Sequence, residues 1–106
     1  MVETISVSEL KALLDASPAP VVLDVREPWE LAIARLPGTL DIPMNEIPDR
    51  LGDIPRDRRV IVMCRSGARS LRVANYLLQN GYGAVSNLTG GILAWGAEID
   101  PNLPQY

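Results

Sequence analysis

The sequence predicts an α/β domain built on a central, mainly parallel sheet. Two observations carry this. Val21–Val25 and Val60–Met63 are short runs rich in β-branched apolar residues, the pattern of strands covered on both faces. Stretches with helical spacing alternate with such runs, which is how parallel strands are joined.

Ser6 to Leu14 reads as an amphipathic helix with Ser6 as N-cap, Glu9 as its capping-box partner, and Leu10, Leu13 and Leu14 on the apolar side. Ser17-Pro18-Ala19-Pro20 stops it, and Val21–Val25 follows as a strand that Arg26-Glu27-Pro28 turns. Trp29 to Ile33 reads as a short helix, Leu36-Pro37-Gly38 as a turn, and Thr39 to Ile42 as a brief strand closed by Pro43. Ile47 to Leu51 reads as a further short helix, and Ile54 to Arg58 as a polar turn into the strand Val60–Met63. Ser70 to Leu78 carries Val73, Ala74, Leu77 and Leu78 at helical spacing, with Asn80-Gly81 as its stop. A strand at Ala84–Leu88, a last helix after Gly90-Gly91 through Ile92, Leu93 and Trp95, and an irregular tail from Asp100 complete the chain, with Trp95 as a core aromatic.

With 106 residues, 47% of them apolar and 22% charged, residues 1–106 read as one globular domain rather than a disordered or fibrous chain. No apolar run reaches the roughly 20 residues that cross a bilayer, and the N-terminus lacks the signature of a secretory signal, so the expectation is a cytoplasmic protein without a membrane partner. One cysteine and no histidine exclude an internal disulfide and a Cys/His zinc site, and no metal is expected. The missing imidazole also removes Ser-His-Asp and Cys-His mechanisms, so a nucleophile here must be activated electrostatically.

The net charge of -3 conceals a stretch holding Arg56, Arg58, Arg59, Arg65, Arg69 and Arg72, whose only acid is Asp57. A local run of this kind argues for a small-anion site and against a nucleic-acid partner, which requires a basic face across the domain.

In Cys64-Arg65-Ser66-Gly67-Ala68-Arg69-Ser70 the only thiol ends a buried strand and opens a loop that leads into a helix. Unpaired N–H groups and the positive end of the helix dipole favour an anion there, so the Cys64 thiolate is expected below the unperturbed pKa of about 8.5. Gly67 lets the loop curl, Arg65 and Arg69 supply charge for an anionic substrate, and Ser66 adds a donor. A lone cysteine is more often mere core filling. A glycine-containing loop with two arginines is an odd way to end a strand for packing alone. Asp24 and Arg26 read as a structural ion pair at the end of the first strand, supporting the site without acting on substrate.

Cys64 to Ser70 resembles the active-site loop of the rhodanese family. Asp24-Val25-Arg26-Glu27 resembles its first signature, Leu36-Pro37-Gly38-Thr39 with Ile42-Pro43 its Ile-Pro-Gly-Ala and following Ile-Pro segment, and Gly90-Gly91-Ile92-Leu93-Ala94-Trp95 its C-terminal signature. The resemblance implies a three-layer α/β/α fold and a sulfurtransferase without a bound cofactor. Cys64 then takes sulfane sulfur from a small anionic donor such as thiosulfate and passes it, as a persulfide, to cyanide or another thiophilic acceptor, a protein acceptor included. One departure is visible, Ala34-Arg35 where the family often has Gly-His. A sulfur-carrier or binding module without turnover is the alternative, although such modules commonly lack the cysteine. Cysteine phosphatases and arsenate reductases resemble one another in placing five residues between cysteine and arginine, whereas four separate Cys64 from Arg69.

Overall fold

The computed structural model describes residues 2–106. Five parallel strands, β1 (Glu3–Ile5), β2 (Val21–Asp24), β3 (Leu40–Asp41), β4 (Val60–Met63) and β5 (Val85–Leu88), form one sheet in the order β1-β5-β4-β2-β3. The helices are α1 (Val7–Leu14), α2 (Pro28–Ile33), α3 (Ala68–Gln79) and α4 (Gly91–Glu98).

Alternation along the strands divides the core in two. Leu23, Val60 and Val62 point to one face, where they meet Val73, Ala74 and Leu77 of α3 together with Ile47 and Ile54. Val22, Ile61 and Met63 point to the other, against Val7 and Leu10 of α1 and Ile92 and Trp95 of α4. The expected three layers follow, and Trp95 is a core residue as its surroundings in the sequence indicate.

The capping box of α1 forms, with Glu9 N donating to Ser6 Oγ at 3.1 Å and Ser6 N to Glu9 Oε1 at 3.2 Å. Three elements depart from the sequence reading. β1 carries no strand signal because only Ile5 of its three residues is buried; its pairing to β5 makes it a strand. Ile47–Leu51 is not an α-helix: two 3-10 segments, Met44–Glu46 and Pro48–Asp53, follow Pro43, and Arg50 leaves helical geometry at φ -118°. Pro48 lacks the N–H that an α-helical ladder running on from Met44 would use, so the two segments stay separate. α3 starts two residues earlier than the expected Ser70, since Gly67 rather than a side-chain cap sets its beginning.

β4 lies in the middle of the sheet between β5 and β2. Its C-terminal end, with that of β2, presents Cys64 and Asp24 on one edge, the position at which open parallel sheets bind ligands. No helix among the described residues is long and apolar enough to cross a membrane.

Candidate active site

All four residues of β4 are buried, and Cys64, the next residue, is 1% exposed. The chain then curls over the sulfur. Gly67, at φ 117°, occupies the left-handed region that a side chain disfavours, and from there its N–H donates to Cys64 Sγ at 3.0 Å. The Ser70 hydroxyl lies 3.3 Å from the same sulfur. Burial alone pushes the Cys64 thiol up, but the Ser70 hydroxyl and the N–H groups of Ser70, Gly67 and Ser66 together outweigh it and hold the thiol below its ordinary value. The start of α3 therefore acts on the sulfur through discrete hydrogen bonds.

The loop is fastened from beneath. Gly67 O accepts from Asn87 Nδ2 at 3.2 Å. Cys64 O and Arg65 O accept from the N–H groups of Ile92 and Leu93, at 3.0 and 3.1 Å, in the first turn of α4. A Cβ on Gly91 would stand 2.4 Å from Cys64 O and 2.5 Å from Arg65 O, so glycine is required where the two backbones meet. The Gly90-Gly91 pair thus serves the loop as much as its own helix.

The two loop arginines are engaged. Arg69 forms a fork with the carboxylate of Glu30, Nη1 to Oε1 at 2.6 Å and Nη2 to Oε2 at 2.9 Å. That pairing, with the Glu27 N–H and the Tyr106 hydroxyl adding to it, holds Glu30 at about 2 against the cost of its burial. The Arg69 guanidinium is raised mainly by Glu30, with a smaller electrostatic contribution from Cys64. Arg65 donates through Nε at 2.8 Å, and through Nη2, to the main-chain oxygen of Tyr106. An open recess beside the loop is lined by Glu27, Trp29, Glu30, Arg65, Arg69 and Tyr106. Ser66 and Ala68 stand exposed at the loop's rim.

Asp24 and Arg26 form the expected structural pair, both fully buried, with Arg26 Nη2 2.8 Å from Asp24 Oδ2 and also 2.8 Å from Ala34 O. Ala34, where the family often has glycine, is buried at this contact, and Arg35 pairs with Asp41. The basic stretch, in contrast, does not gather. Arg56, Arg58 and Arg59 precede β4 and lie at the opposite end of that strand from Cys64. They are bound to Asn80 O, Ala19 O and Glu3. Arg65 and Arg69 lie in the loop itself, and Arg72, on α3, lines a separate recess with Met44, Asn45 and Tyr76. Sequence reasoning missed Glu30 and Tyr106; for Glu30 a signal was available in its spacing, an acid three residues after Glu27, whose N–H it caps at the start of α2. Among the described residues, no three His, Cys, Asp or Glu side chains come together in a way that could hold a metal ion.

The profile of the rhodanese-like domain matches residues 6–98. A protein named sulfurtransferase from Allochromatium vinosum is 45% identical over 90% of this chain and 89% of its own. The putative sulfurtransferase YtwF of Bacillus subtilis is 35% identical over 94% of this chain and 96% of its own. A crystal structure of a rhodanese-like domain protein from Staphylococcus aureus superposes with a TM-score of 0.86 at 34% identity, covering 99% of each chain.

Proposed function

This chain belongs to the rhodanese-like domain family of sulfurtransferases, and from that premise we propose that it is a thiosulfate sulfurtransferase whose Cys64 carries the sulfur as a persulfide. One observation carries the reading: the Cys64 sulfur receives the Gly67 N–H at 3.0 Å, with the Ser70 hydroxyl at 3.3 Å, and its thiol is held below the ordinary value.

In the proposed reaction the Cys64 thiolate attacks the outer sulfur of thiosulfate. The S–S bond of thiosulfate breaks, sulfite leaves with its electron pair, and a persulfide anion remains on Cys64. The carbon of cyanide, or another thiophile such as a protein acceptor, then attacks the terminal sulfur. The persulfide bond breaks, its electron pair returns to Cys64, and thiocyanate leaves. No oxidant or reductant enters the cycle. The N–H groups that face Sγ stabilise the thiolate before and after transfer, and the loop Arg65-Ser66-Gly67-Ala68-Arg69-Ser70 holds the anionic donor, with Asp24 and Arg26 keeping the strand end in shape. Exposure of Cys64 at 1% supports a cargo of one atom over a phosphoryl group, whose three equatorial oxygens all need donors. Residues 1–106 act as one domain in this reading, and the single thiol, which must stay reduced to accept sulfur, supports a cytoplasmic setting.

Intact-mass measurement tests the proposal. Thiosulfate is expected to add one sulfur to Cys64, cyanide to remove it, and the same sample to release negligible phosphate from an aryl phosphate. Cys64→Ser should stay folded, since the hydroxyl is nearly isosteric, yet neither gain the mass nor turn over. Turnover by the folded Cys64→Ser variant, or a mass that cyanide leaves in place, would overturn the mechanism.

A further inference from the structure

Residues 99–106 follow the last helix, and at their end one residue touches three charged groups around the loop. The Tyr106 hydroxyl donates to Glu30 Oε2 at 2.7 Å and accepts from Arg26 Nη1 at 2.9 Å. Its main-chain oxygen accepts from Arg65 Nε at 2.8 Å and from Nη2. Its ring stands edge-on to Trp29 at 5.9 Å, with the Arg65 guanidinium 5.1 Å from its centroid. Glu30 in turn grips Arg69 with both oxygens.

A tail residue that only covered apolar surface would have no need of these bonds. Here every polar atom named goes to a charged group, and the two cations of the loop are both reached, Arg65 directly and Arg69 through Glu30. Arginine has several rotatable bonds, and an anion bound by two of them benefits when their orientation is set in advance. Arg26, locked on Asp24, gives the phenol a fixed point in the core.

We propose that Tyr106 is a positioning residue for the sulfur donor: its hydroxyl holds Glu30 and thereby Arg69, its main-chain oxygen holds Arg65, and the rim of the loop is oriented from the tail. The inference rests on the reading that Cys64 takes sulfur from an anionic donor.

The test is steady-state sulfur transfer from thiosulfate to cyanide by the full chain, comparing wild type, Tyr106→Phe, Tyr106→Ala, Arg69→Gln and the Tyr106→Phe/Arg69→Gln double variant. Tyr106→Phe keeps the ring and removes only the hydroxyl, so it retains the fold if the alanine variant does not. Loss of one hydrogen-bonded anchor should raise KM for thiosulfate by about threefold to tenfold with kcat changed by less than about twofold. In the Arg69→Gln background the same change should add less than about twofold, because the partner through which it acts is gone. An unchanged or lowered KM in the Tyr106 variants, or a fully additive penalty in the double variant, overturns the proposal. Absence of a persulfide mass on wild-type Cys64 would instead sink the sulfur-transfer reading and this inference with it, so the mass of Cys64 separates the two failures.

Discussion

Replacing Glu30 by glutamine removes a charge from a carboxylate that is only 2% exposed and leaves its shape. The carboxyl is lowered from 4.5 to about 2, chiefly by the Arg69 fork. At about 1.4 kcal/mol per unit, that shift corresponds to roughly 3 kcal/mol. Solvent around the Arg69 side chain, 32% exposed, screens the pair and brings the figure to about 2 to 3 kcal/mol. The sign follows from the folded value lying below the unfolded one. The contribution is complete above about pH 4.5 and fades as pH falls toward 2. Glu30→Gln should therefore lower the free energy of unfolding at pH 7 by about 2 to 3 kcal/mol in urea titrations read by circular dichroism. The gap between variant and wild type should narrow by about half between pH 5 and pH 3. A gap that stays constant over this range, or a variant as stable as wild type at pH 7, refutes the assignment of the shift to the Arg69 pair.

Ser70→Ala removes the hydroxyl nearest the sulfur, so the Cys64 thiol should rise, and the pH midpoint of persulfide formation, followed by stopped-flow with thiosulfate, should move upward; an unmoved midpoint would leave the backbone N–H groups as the whole source of activation. Gly91→Ala forces a Cβ within 2.4 Å of Cys64 O and a side chain onto φ 56°, and should cost at least about 2 kcal/mol in a thermal melt while slowing sulfur transfer. A melt unchanged by this substitution would mean that the contact between α4 and the loop relaxes freely.

What the sequence disclosed and what it hid divide along contact distance. Cys64 to Ser70 was legible because strand, curl and helix start are set by neighbours within seven residues, and Asp24 with Arg26 because two residues on one strand end face each other. Glu30 was not, since its partner Arg69 lies 39 residues away, nor was Tyr106, whose hydroxyl meets groups 76 and 80 residues back. Pro101 and Pro104 leave the tail without periodicity, so nothing local shows that its last residue is anchored. The basic stretch misled for the complementary reason: residues close in sequence were carried by β4 to opposite ends of the sheet. The 3-10 segments and β1 are too short for a periodic pattern to speak.

The bonds from Ile92 and Leu93 to the carbonyls of Cys64 and Arg65 bear on time as well as shape. A loop that shared only flexible side chains with its neighbours could breathe on its own. This one is tied to the first turn of a helix whose other side is packed into the core through Ile92 and Trp95, so it cannot let go without loosening that turn. Opening is then a cooperative event drawn from the rarer end of the native ensemble. The amide protons of residues 92 and 93 keep its clock: their exchange with solvent deuterium counts how often the sulfur's cradle comes apart.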